Sequence, residues 1–220
     1  MQNNKKIVRI NSRSPEKKLL LKACKIIKKN GVIIFPTKCL YGIGVDAFNQ
    51  KAVNKVFKIK QRDKNNPILV LINKKQDLKI LVKEIPFQAK VLMDKFWPGD
   101  VTIIFKAKHD IPEQLIAKTG KIGVRIPQHP VAYTLVKMAG TPITGTSANI
   151  SGMKGCSDIK ELELKLISNI DMVLDGGKLK GGKGSTVVDV TVSPFKILRQ
   201  GSVIINNDIL NFSSLKNPNL

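Results

Sequence analysis

Apolar residues between positions 20 and 27 recur at helical spacing, with Leu20, Ala23, Cys24 and Ile27 on one face and lysines on the other. The spacing predicts a helix that Ser14-Pro15 opens as N-cap and first helical residue and that Gly31 ends. "GVIIFP" follows as an apolar run of strand length. Asn49 caps a second helix whose stripe is Val53, Val56, Phe57 and Lys60; the polar link "KQRDKNNP" then leads into the buried strand "PILVLI". Helical patterns at 75–83 and 86–96 run through Pro98-Gly99 into the strand "VTIIFK". Next come a short helical piece near Pro112, the strand "IGVRIP", a helix from Pro130 to about Ala139 and the strand "PITGTS". A helix over 158–168 and strands at 171–174, 186–191 and 195–200 complete the pattern. Helices and strands alternate, so the class is α/β, and the close spacing of the last strands implies a mixed sheet.

With 220 residues, 42% of them hydrophobic, the chain is long enough for one large core, and no Ser/Pro-rich linker divides it. The longest apolar runs, Val32 to Phe35 and Ile68 to Ile72, fall far short of the roughly 20 residues of a membrane helix. The N-terminus is polar and lacks the apolar stretch of a signal peptide, so a cytoplasmic protein with no membrane partner is expected. Cys24, Cys39 and Cys156 form no Cys-x-x-Cys pair and are read as free thiols.

The formal net charge is +22. Such an excess suits a polyanionic partner, because cations that displace counterions from phosphates bind with salt-dependent affinity. Of 38 basic residues, however, 5 are Arg and the other 33 are Lys, spread over every predicted helix surface in the manner of compositional drift. The arginines carry more information. Arg62, Arg125 and Arg199 each sit beside a predicted strand, where a planar five-donor fork can clamp phosphate or carboxylate.

"DGGKLKGGKGSTVVDV" at 175–190 has the outline of a phosphate-binding loop, but Gly184 stands where that motif needs Ser or Thr, and a β-branched strand follows in place of a helix. The glycines read as a turn between strands, with Ser185 at the strand start able to face a ligand. His129, just before Pro130, reads as a helix cap, and His109 as a loop residue. Ser147 lacks the Gly-x-Ser-x-Gly elbow, and no cluster of His, Cys, Asp and Glu has metal-ligand spacing.

Three donor-rich loops remain. "FPTKCLYGIG" offers the Thr37 hydroxyl, the Tyr41 ring and two glycines; "KIKQRDKNNP" places Lys60 and Arg62 at a helix end, both free to turn toward one sheet edge; "GTSANISG" presents Ser147 and Asn149 after a strand. Taken singly, each reads equally as a ligand loop or as an ordinary connection.

Together they resemble one family. "FPTKCLYGIGVDA" is similar to the Pro-Thr-x-x-x-Tyr-Gly-Leu-Gly signature of the YrdC-type threonylcarbamoyl-adenylate synthases, "KIKQRDKNNPILVLI" to their Lys-x-Arg segment and "GTSANISG" to their Ser-x-Asn segment. "WPGDVTIIF", "IGVRIPQHP", "GSTVVDV" and "ILRQG" continue the likeness in the family's order, from about residue 15 to 205. The resemblance implies a YrdC-like domain over 12–205, with a 1–11 extension and a 206–220 tail, built as a twisted mixed sheet flanked by helices around a basic central cavity. It implies that ATP, with Mg2+, reacts with L-threonine and bicarbonate to give threonylcarbamoyl-adenylate and pyrophosphate. The product would pass to the tRNA-threonylcarbamoyl transferase machinery that modifies adenosine 37 of tRNA, with weak direct tRNA contact allowed. Residue by residue, it makes Lys60, Arg62, Ser147 and Asn149 the catalytic set and adds Asn66 and Arg199 as ATP contacts. Thr37, Arg125 and Ser185 then line the threonine site, and no protein metal site is implied. Lys38 and Cys39 stand where Glu and Thr are usual, Leu71 where longer members have His, Lys121 where Thr is common, and Gly155-Cys156 where Ser-Pro often occurs. The alternative from another class, which the charge suggests, is a non-catalytic protein of the same fold that holds RNA in its basic cavity.

Overall fold

The computed structural model describes residues 6–206. Among these residues eleven strands form two mixed sheets, where the sequence pattern suggests one. β1 (Ile7–Arg9), β2 (Ile33–Pro36), β3 (Tyr41–Gly44), β8 (Thr146–Ser147) and β9 (Met172–Asp175) make the first, in the order β1-β9-β2-β3-β8. β4 (Val70–Leu71), β5 (Val101–Lys106), β6 (Lys121–Arg125), β7 (Ile143–Thr144), β10 (Thr186–Asp189) and β11 (Lys196–Arg199) make the second, in the order β11-β10-β5-β6-β4-β7. Each sheet mixes parallel and antiparallel pairs, as with β2, which runs parallel to β9 and antiparallel to β3.

The segment "PITGTS" explains why one expected sheet becomes two. Instead of one strand it supplies β7, which pairs with β4 in the second sheet, and β8, which pairs with β3 in the first. Gly145 is the crossing point. Its N–H donates to the Leu69 carbonyl at 2.9 Å, and a Cβ there would lie 2.8 Å from Leu71 Cγ, so a larger residue would push into the Leu69 and Leu71 side chains.

β2 is buried on both faces, and its period-two alternation divides the core. Ile33 and Phe35 pack with Leu20 and Ile27 of helix α1 (Lys17–Lys28) and with Leu135 of helix α5 (Pro130–Ala139). Ile34 joins the larger core, which includes Val53 and Phe57 of helix α2 (Gln50–Lys60), Leu92 of helix α3 (Phe87–Phe96), and Ile103 and Val124 of the second sheet. The extension ahead of residue 12 contributes to the domain: β1 pairs with β9, and Ile10 is buried beside α1.

Local chemistry moves several element ends. Asn11 Oδ1 accepts from the N–H groups of Arg13 and Ser14, so the chain turns before the helix and Glu16, not Ser14, is the N-cap residue of α1. At its far end Asn30 (φ 62°) takes the left-handed position expected of Gly31. The 75–83 pattern is a 3-10 segment, Lys75–Ile80, and the 158–168 pattern divides into a 3-10 turn, Ile159–Glu161, and helix α6 (Leu164–Ser168), because Leu162 is extended between them. Asn49 caps α2 as expected, accepting from Ala52 N–H at 2.9 Å, and His129 Nδ1 caps α5. Helix α4 (Glu113–Ile116) occupies the short helical piece after Pro112. Among the described residues no helix is long and apolar enough to cross a membrane, and the three cysteines are free and buried.

Candidate active site

A cavity of about 330 Å³ opens between the two sheets, beside the Gly145 crossing. Six of the nine site residues implied by the resemblance line it: Thr37, Arg62, Arg125, Ser147, Ser185 and Arg199. They come from segments separated by up to 162 positions, and the fold brings them onto one wall system.

The end of α2 sets the position of Arg62. Gln61 is left-handed (φ 50°), and Arg62 N–H bonds back to the Phe57 carbonyl at 2.9 Å in a Schellman-type stop. Lys60 and Arg62 therefore diverge, contrary to the expectation that both turn to one sheet edge. Arg62 lines the cavity, with Nε donating to the Asn66 carbonyl at 2.8 Å and Nη2 to that of Pro67 at 3.0 Å. Lys60, 1% exposed, turns under β8 and donates to the carbonyls of Ser147 (2.5 Å) and Asn149 (2.7 Å) and to Asn149 Oδ1 (3.3 Å). Burial first, and the Arg62 charge second, pull the Lys60 ammonium down to about 7, while its three acceptor oxygens oppose the change by favouring the charged form.

Lys60, Asn66 and Asn149 do not line the cavity. Asn66 meets Arg62 through its backbone oxygen and is itself exposed. Asn149 closes its own loop, donating from Nδ2 to the carbonyls of Ile150 and Met153 at 2.7 Å each. The left-handed Gln61 parts Lys60 from Arg62, Asn66 points to solvent, and Asn149 is turned away from the cavity by its own loop bonds.

Arg199, on edge strand β11, donates from Nε and Nη2 to the Ser185 carbonyl at 3.1 and 2.8 Å. Ser185 Oγ in turn lies 2.8 Å from Thr102 Oγ1. Burial, then the charge of Arg199, lowers the pKa of Arg62. Among the described residues neither Arg62 nor Arg199 has a carboxylate partner. Two like charges held against one cavity by backbone carbonyls make a receptor for an anion.

Arg125 also lines the cavity, 8% exposed, with Nη1 3.3 Å from Asp100 Oδ1. Burial lowers its pKa, and the Asp100 charge works against that. Asp100, at the turn into β5, is a cavity residue that reading for cations and neutral donors passed over; its signal was an acid beside a strand that is otherwise apolar. Thr37 bonds to its own turn, Oγ1 to the Leu40 carbonyl at 2.6 Å. Tyr41 and Gly42 line the cavity as well; the Tyr41 side chain is otherwise buried, and its hydroxyl donates to the Gly177 carbonyl at 2.6 Å and so fixes the glycine turn. Strand β10 follows that turn, as the absence of a phosphate-binding helix required. Two of the unusual residues lie away from the cavity: Lys121 pairs with Asp189 at 2.9 Å, and Leu71 is in the core. Cys39 lines the cavity, its thiol pushed up by burial and then by Asp100. No group of three His, Cys, Asp or Glu among the described residues is arranged to hold a metal ion.

The chain is thus a mixed α/β protein whose two sheets part around a cavity lined by three arginines. The Sua5/YciO/YrdC family model, described as "Telomere recombination", matches residues 25–201, and the chain belongs to that family. Threonylcarbamoyl-AMP synthase of Pyrococcus abyssi is 32% identical over 197 residues, 90% of this chain and 58% of that protein. The Bacillus subtilis protein of the same name is 34% identical over 84% of this chain and 54% of its own length. The structure of P. abyssi Sua5 complexed with L-threonine superposes with a TM-score of 0.83 at 30% identity, covering 90% of this chain and 58% of that one. Escherichia coli YciO superposes at 0.84 and 27% identity, covering 91% of this chain and 98% of that one. The chain thus spans a little over half the length of these two synthases and nearly all of YciO.

Proposed function

We propose that the chain is a threonylcarbamoyl-AMP synthase. The amine of L-threonine takes up bicarbonate, with loss of water, to form a carbamate; a carbamate oxygen then bonds to the α-phosphorus of ATP as the bond to pyrophosphate breaks. The observation that carries this reading is that two guanidiniums without carboxylate partners, Arg62 and Arg199, line one cavity together with the buried Arg125 fork. Two anions must meet in this reaction, so the barrier is lowered mainly by positioning and by fixed positive charge, and no side-chain nucleophile is needed.

On this reading Arg62, Arg199 and the Ser147 hydroxyl take the phosphates, and Arg125, Thr37 and Ser185 take the amino acid. Lys60 and Asn149 set the Ser147 loop from behind, and Asn66 steadies Arg62. Magnesium enters with ATP as part of the substrate. The names of the P. abyssi and B. subtilis relatives and the L-threonine complex of P. abyssi Sua5 support the assignment. The test is pyrophosphate release, expected only when ATP, magnesium, L-threonine and bicarbonate are all present. Release indifferent to threonine, or none with any amino acid, would remove the assignment; serine is the first alternative to try because Cys39 lines the cavity.

A further inference from the structure

We propose that Asp100 is the ammonium-recognition group of this site, so that Asp100 and Arg125 together form a receptor for a free, zwitterionic α-amino acid. The inference rests on the reading above only for the identity of the amino acid. Both residues line the cavity and both are more than nine-tenths buried, Asp100 at 7% and Arg125 at 8% exposure. They touch at one point, Arg125 Nη1 to Asp100 Oδ1 at 3.3 Å, where a guanidinium and a carboxylate closing on each other would form two parallel bonds.

That single contact leaves one buried donor and one buried acceptor: Arg125 Nε and Asp100 Oδ2 have no hydrogen-bond partner. Buried polar atoms are almost always paired, and leaving a charged one open costs more than a neutral one. One spare donor on a cation beside one spare acceptor on an anion matches the carboxylate and the ammonium of one amino acid. Lys38 supports this directly. Its half-exposed side chain brings an alkylammonium nitrogen to 3.2 Å from Asp100 Oδ2, without hydrogen-bond alignment, so the carboxylate already attracts an amine. A substrate ammonium would take that place and release Lys38 to solvent. Asp100 is also tied to the serine wall, since Thr186 N–H donates to the Asp100 carbonyl at 3.0 Å and Ser185 precedes it. The site would therefore reject amino acids whose nitrogen is blocked or replaced, even with the carboxylate and side chain intact.

Calorimetry on the full chain tests this with defined ligands. The parent should bind L-threonine at least tenfold more tightly than 2,3-dihydroxybutanoate, in which a hydroxyl replaces the ammonium, because a charge-assisted bond to Asp100 is lost. Asp100→Asn, which keeps shape and removes charge, should lower L-threonine affinity about tenfold to a hundredfold and bring the two ligands to near equality. The ligand comparison uses only the parent, so it stands even if the variant folds poorly. Equal affinity of the parent for both ligands, or an unchanged preference in a folded Asp100→Asn, would overturn the proposal. Failure of this inference separates from failure of the synthase reading. Pyrophosphate release with an unchanged KM for threonine in Asp100→Asn defeats Asp100 alone. Asp100-dependent amino-acid binding without pyrophosphate release defeats the synthase and leaves Asp100 in place.

Discussion

Arg62 and Lys60 leave the same helix end two residues apart and reach different surroundings. Arg62→Lys keeps the charge and loses the fork that Asn66 and Pro67 hold, so it should still bind ATP and turn over about one to two powers of ten more slowly. Ser147→Ala should weaken ATP binding without abolishing pyrophosphate release; a dead Ser147→Ala enzyme that still binds ATP would reopen a covalent role. Lys60 belongs to stability as much as to chemistry. Its native pKa of about 7 lies below the ordinary 10.5, so the unfolded chain binds more protons between those values. The stability it contributes therefore rises with pH across that window and is flat below it. Relative to Lys60→Met, the parent should gain on the order of 3 kcal/mol in unfolding free energy from pH 7 to pH 9.5. Denaturant unfolding at several pH values measures this, and a pH-independent gap would mean that Lys60 stays charged in both states. At this scale the sequence made six cavity residues legible, because arginines and hydroxyls at strand ends are chemically conspicuous. It hid which of two neighbouring polar residues faces inward, since that depends on backbone direction at a single left-handed residue such as Gln61.

Elements decide whether those residues stay in register. β11 carries Arg199, and the turn after it presses Gly201 against the carbonyls of Gly184 and Ser185. A Cβ at Gly201 would overlap both. Gly201→Ala should therefore push Ser185 and Arg199 apart, cost about 1–3 kcal/mol of stability and slow pyrophosphate release, although residue 201 carries no functional group. Thermal unfolding and activity should fall together; a stable but inactive variant would mean that the displacement stays at the cavity. Strong helical periodicity and caps gave the places of α1, α2, α3 and α5 within a few residues. The division of 142–147 between two sheets was not legible, because two residues on either side of a glycine are too few to show a change of partner. The cavity exists because of that division, so its location could be seen only once both sheets were in view.

At the scale of the whole molecule the net charge of +22 and the cavity arginines make separate demands. Lysines dispersed over the surface can neutralise phosphates of any polyanion, with log affinity falling by roughly 0.9 per contacted phosphate for each decade of salt. The cavity needs a small number of cations at fixed positions, and three of the five arginines line it. RNA binding, if present, should therefore be broad, steeply salt-dependent and nearly indifferent to the cavity. Arg62→Ala should abolish pyrophosphate release and leave tRNA affinity within about twofold of the parent, as the loss of one charge among many. Exchanging several surface lysines for glutamine should do the reverse, weakening tRNA and reducing the salt slope while pyrophosphate release persists. Filter binding at a series of salt concentrations, run beside the pyrophosphate assay on the same variants, measures both. Parallel loss of RNA affinity and of pyrophosphate release in Arg62→Ala would place RNA in the cavity itself and favour the binding-protein alternative over an enzyme with a basic exterior.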